Sequence, residues 1–174
     1  MDLITYQNAI ERTWNKATNQ NVHVHLLMKS EIGELESAFK KVYGYGRELD
    51  VENVIEELGD YYYGFFTFLR LRGYKPKSLK IDASVQKLDE DSACDIFDAL
   101  TTYTMMLRHL EDEQLEQSTQ LLWNLLGIIL DHINTADRII TVEDVMDTNI
   151  VKLSKRYPDT FTSELSAMRL DKQH

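Results

Sequence analysis

The stretch "EIGELESAFKKVYGYGRELDVENVIEELGD", residues 31–60, opens and closes on carboxylates three residues apart: Glu31 with Glu34, and Glu57 with Asp60. If these pairs sit on two helices packed antiparallel, the four acids meet in one cluster, the oxygen-rich donor set preferred by Mg²⁺ or Mn²⁺. Spacing alone is a weak signal. With 29 acidic residues in 174, chance supplies about five such pairs, and the chain has five, the others being Asp95/Asp98, Glu113/Glu116 and Asp144/Asp147. Placement on the helix carries more information. At 100° per residue Glu31 falls within the apolar arc of Met28, Leu35, Ala38 and Val42, with Glu34 on its shoulder beside Leu27. Glu57 and Asp60 flank the apolar stripe that starts at Val54. A carboxylate turned toward an apolar interior must be protonated, paired or bound to a cation, and several together raise one another's pKa. Lys40, Lys41 and Arg47 are the nearby side chains that offer an alternative to a metal.

The elements that must position these acids read as all-helical. Seven Gly and two Pro leave few turns, and apolar residues recur at about 3.6 rather than 2. The expected helices span about residues 3–17, with Tyr6, Ile10 and Trp14 on one side, and 22–43, with Met28, Ile32, Leu35 and Phe39. A third runs from the N-cap Asp50 to Gly73; it is apolar over a wide arc through "YYYGFF" and is expected to be the most buried. "GYKPKSLKIDAS" reads as a linker. Two more helices follow, about 84–111 and 113–136, and a last one opens at "TVED", where Thr141 and Asp144 form a capping-box pattern, and is closed by Pro158.

The length fits a single domain, residues 1–174, and 43% hydrophobic residues suffice for a core. A formal charge of −10 disfavours nucleic acid and anionic membranes as partners. No long apolar run or secretory signal is found, so a cytoplasmic location is expected. The lone Cys94 can form neither an internal disulfide nor a thiolate metal site and is expected to be a small buried apolar residue. His23 and His25, two apart, point to different helical sides and do not chelate one ion.

On the last expected helix Asn149, Lys152 and Arg156 share one face, with Tyr157 next in chain. By themselves they read either as an oxyanion-binding set or as a cluster complementing a helix C-terminus. Asn53, beside the second acidic pair, suits a base, a ribose or a neighbouring backbone group. Trp14 suits base stacking or, more commonly, a core.

The ordered set of E31-x2-E34, E57-x2-D60, "YQNAIERT", "YGRELDVENVIEELGD" and "NIVKLSKRYPDTF" resembles the MazG-like superfamily of all-α nucleoside triphosphate pyrophosphohydrolases, which includes the dimeric dUTPases. The likeness covers about residues 3–73 and 140–161. It departs at Ser30, where many relatives carry Glu, and at 74–139, a helical insertion that the shortest relatives lack. The resemblance implies a MazG-like bundle with an additional helical hairpin, and metal-dependent cleavage of a (d)NTP between its α- and β-phosphates, giving a nucleoside monophosphate and pyrophosphate. It implies Mg²⁺ (or Mn²⁺) held by Glu31, Glu34, Glu57 and Asp60, with Glu31 or Glu34 in the catalytic role and Glu31 favoured as base for its depth. It implies Asn53, Asn149, Lys152, Arg156 and Tyr157 as substrate contacts. The broad apolar third helix favours a homodimer or larger homo-oligomer. The rival from another class is a non-catalytic helical module that keeps the fold and binds a protein partner.

Overall fold

The computed structural model describes residues 1–15, 19–76, 79–81 and 88–168. Among them there are only helices: α1 (Leu3–Glu11), α2 (Gln20–Tyr43), α3 (Val51–Leu71), α4 (Ala93–Met106), α5 (Asp112–His132), α6 (Val142–Arg156) and α7 (Ser163–Met168), with one 3₁₀ turn at Leu107–His109. None is long and apolar enough to cross a membrane.

Local chemistry sets the helix ends. The Asp50 carboxylate accepts the Asn53 N–H, as the N-cap pattern predicts, and Thr141 and Asp144 complete a capping box at the start of α6. Gly73, at φ 70°, closes α3: Tyr74 N–H bonds Leu69 C=O and Gly73 N–H bonds Arg70 C=O, a Schellman ending. Three elements are shorter than the periodicity predicts. α1 stops at Glu11 because the Thr13 hydroxyl donates to the Ile10 carbonyl and the chain turns Trp14 inward. α4 starts only at Ala93, since Asp89 and Ser92 bond each other through side chains and backbone in a tight turn. α5 ends at His132, beyond which the Asn134 side chain pairs with the backbone of Ile140. Residues 16 and 17 of the expected first helix and 84–87 of the expected fourth, Val85 included, lie outside the described residues. α7 carries no buried residue, so it has no apolar stripe to announce it.

The core forms around α3, whose Tyr61, Tyr62, Phe65 and Phe66 are fully buried. Trp123 of α5 packs on Tyr62, Phe65 and Phe66, Tyr6 of α1 meets Phe66 edge-on, and Tyr61 bonds Thr104 of α4. These four aromatics are thus covered by their own chain. Cys94 differs from expectation. It is exposed, because the buried face of α4 is taken by Ala93, Ile96, Phe97 and Leu100.

α2 and α3 pack antiparallel, with Glu31 opposite Glu57 and Met28 opposite Gly64. A Cβ on Gly64 would stand 2.8 Å from Met28 Cγ and 3.5 Å from Leu27 Cδ2. Glycine here permits the close approach that brings the acids together. Gly64→Val should therefore lower stability by about 1–3 kcal/mol through overpacking, measured as a fall in the urea midpoint without a change of slope.

Candidate metal and phosphate site

A cleft of about 480 Å³ opens between the end of α1, α2, α3, α6 and the segment that follows α6. Glu31 and Glu34 of α2 and Glu56, Glu57 and Asp60 of α3 line it on one side, Arg156, Tyr157 and Phe161 on another. No residue of α4 or α5 contributes, so the hairpin completes the core rather than the cleft.

Glu31, Glu57 and Asp60 each offer an oxygen, and these atoms all lie within 4.8 Å of one another. Around a six-coordinate Mg²⁺ neighbouring oxygens are about 3 Å apart and opposed ones about 4.2 Å, so the three carboxylates would have to draw closer to share one ion. The donor chemistry fits, being all oxygen. Glu34 lines the same cleft but is exposed and stands outside this group of three.

The electrostatics reflect crowding. Burial first, then the charges of Asp60 and Glu57, push the Glu31 carboxyl up to about 8, and it shares a hydrogen bond with Glu57. Burial, Asp60 and Glu56 also raise Glu57. Glu31 therefore holds its proton to a higher pH than an ordinary carboxyl and, while protonated, donates a hydrogen bond to Glu57.

α6 supplies the counter-charge and the orientation. Asn149 is buried against Gly59; its Oδ1 accepts the Tyr6 hydroxyl at 2.8 Å, which turns its amide N–H onto Asp60 Oδ1 at 3.0 Å. Lys152 Nζ bonds Asp60 Oδ2 and, at 2.9 Å, Glu56 Oε1. Burial works against the ammonium, but Asp60 and Glu56 outweigh it and raise its pKa. The cation that answers these acids thus comes from α6 and not from Lys40, Lys41 or Arg47.

Arg12 fixes the far wall. Its guanidinium donates to the carbonyls of Tyr157, Pro158 and Asp159 and to Ser154 Oγ, and its own carbonyl accepts the Phe161 N–H. This clamp holds the end of α6 and the segment that carries Tyr157 and Phe161 against α1. At the other end Trp14 donates to Gln20 Oε1 at 3.0 Å and stacks on the exposed His23, ring centroids 4.7 Å apart.

The structure thus brings together Glu31, Glu57, Asp60, Asn149 and Lys152, and sets Glu34, Arg156 and Tyr157 around the same cleft. Asn53 sits in the first turn of α3 and does not line the cleft. Asn149 and Lys152 address Asp60 from behind the cleft's lining. Sequence reasoning missed Glu56, His23, Phe161 and Arg12. Glu56 is one residue from a named acid, but the other three are joined to the site only by long-range contacts that leave no local pattern.

Comparison of the chain with protein-family models, with curated proteins and with solved structures returns no match.

The raised Glu31 pKa has a consequence for stability. Between the ordinary value of 4.5 and about 8 the folded chain binds a proton at this site that the unfolded chain has released. The contribution of this site to stability without metal therefore falls as pH rises through that window, and is lost above it. Urea denaturation in chelator at about pH 5 and about pH 8.5 should show this loss for the native chain, while Glu31→Gln should remove a large part of it and be the more stable protein at the higher pH, by on the order of 1–2 kcal/mol.

Proposed function

We propose that this protein is a metal-dependent nucleoside triphosphate pyrophosphohydrolase that cleaves a (d)NTP between its α- and β-phosphates. One observation carries the reading: three carboxylates converge from two helices, and the deepest of them, Glu31, is buried beside the other two, where it must be protonated, paired or bound to a cation. A solvated acidic surface has no such requirement. The resemblance of these motifs to the MazG-like set supports the same reaction.

Glu31, Glu57 and Asp60 would hold the Mg²⁺ or Mn²⁺, with Glu34 at the cleft wall to complete the set. When bound, such an ion offsets charge on phosphate oxygens and makes a nearby water more acidic. The remaining work falls to the chain. Arg156 and Tyr157 line the cleft, and a guanidinium and a phenol suit nonbridging oxygens of the polyphosphate. Asn149 keeps Asp60 aimed at the site. Glu31, ionised once the cluster is neutralised, accepts the proton of the attacking water. The water oxygen bonds the α-phosphorus, the bridging bond to the β-phosphate breaks, and pyrophosphate departs. Leu27, Tyr63, Trp14 and Phe161 line the remaining walls, a mixed apolar and aromatic surface suited to a nucleoside.

A second reading has its own observation. Because Lys152 already pairs with Glu56 and Asp60, part of the cluster is satisfied without any metal, as a non-catalytic helical interaction module would require. Turnover separates the two readings. With Mg²⁺ or Mn²⁺, a panel of dNTPs and NTPs should yield pyrophosphate and monophosphate, and Glu57→Gln should lower the rate at least about 100-fold. A folded, Mn²⁺-loaded protein that turns over no nucleotide would favour the interaction module.

A further inference from the structure

We infer that Lys152 is an internal counter-ion that competes with a divalent cation for Asp60, so that this lysine, rather than the acids alone, sets how tightly the cation is held. The inference rests on the reading of Glu31, Glu57 and Asp60 as cation ligands, but not on any catalytic turnover.

Lys152 was expected to meet phosphate. In the structure it does not line the cleft; its side chain is 12% exposed, and its ammonium is held by two carboxylates, Glu56 Oε1 and Asp60 Oδ2. Asp60 is the shared element. Its Oδ1 takes the Asn149 amide, its Oδ2 takes Lys152, and its oxygens also belong to the group of three that meet within 4.8 Å. An ammonium and a divalent ion on the same carboxylate repel each other across a short distance in a partly dehydrated site, where such repulsion is screened least. Glu56 lies outside the group of three and gives the ammonium an alternative partner on the neighbouring turn of α3. Lys152 can thus yield Asp60 to a cation and keep an ion pair.

Two opposite effects follow from one substitution, and a merely structural lysine would not produce both. Without metal, removing the ammonium takes a charge partner from both Asp60 and Glu56 and should lower the melting temperature. With metal, it removes a competitor and should tighten binding. The experiment is a calorimetric titration with Mn²⁺ alone, no nucleotide present, together with thermal melts in chelator and in Mn²⁺. Lys152→Met should bind Mn²⁺ at least about 10-fold more tightly than the native chain and gain more stability from it. Lys152→Arg, which keeps the charge, should stay near native, and Lys40→Met, an equal change of charge at an exposed site, should shift affinity by less than about two-fold. Should Lys152→Met not fold, Lys152→Gln takes its place, since its amide still donates to one of the carboxylates. Native-like or weaker Mn²⁺ affinity in the folded variant would overturn the inference, as would the absence of Mn²⁺ binding by both proteins. Tighter binding without any nucleotide turnover would sustain it while counting against the hydrolase.

Discussion

The constraint on which the rest of the structure depends is the burial of Glu31 opposite Glu57 and Asp60, between helices that pack antiparallel. Like charges in a partly dehydrated seam repel, and an apolar pair at these positions would pack at no electrostatic cost. The chain answers with a proton shared by Glu31 and Glu57 and with a lysine from a third helix on Asp60. Neither device cancels the charge of the whole cluster. What is left is an excess of negative charge in the cleft, which Arg156 and Tyr157 also line.

Holding that seam requires a rigid frame. α3 provides it by burying aromatic residues against α1, α4 and α5, while Glu56, Glu57 and Asp60 lie along the cleft. α6 is tied in by polar contacts as well as by its apolar side: Tyr6 orients Asn149, Asn149 orients Asp60, and Arg12 caps the carbonyls beyond Ser154. One residue type at each joint is dictated by space. A side chain on Gly59 would come within 3.0 Å of Asn149 Cβ, so the small residue next to Asp60 is what allows α6 to reach it. The α4–α5 hairpin serves this frame at a distance, because Trp123 covers the aromatic face of α3 and nothing from the hairpin enters the cleft.

Much of the fold was legible in the sequence for identifiable reasons. The 3.6 period showed the long helices, Asp50 and the Thr141/Asp144 box marked two starts, and the wide apolar arc of α3 announced the core. The same period overran α1, α4 and α5, because it cannot register a local turn such as the Asp89–Ser92 pair or the Asn134–Ile140 closure. Residue type, not the period, placed Cys94 inside, whereas α4 buries Ala93, Ile96, Phe97 and Leu100 and leaves Cys94 exposed.

For the site, the sequence by itself determined that Glu31 points into an apolar arc and that Glu57 and Asp60 flank another, since angular position on one helix follows from residue number alone. Only the tertiary structure decided which acids meet. Glu31, Glu57 and Asp60 converge while Glu34 stays exposed, Lys152 turns to the carboxylates instead of the cleft, and Trp14 with His23 forms one end of it. Those outcomes depend on the distance and register between helices, and these are set by side chains interlocking at contacts such as Gly64 with Met28 and Gly59 with Asn149, which join residues remote in sequence.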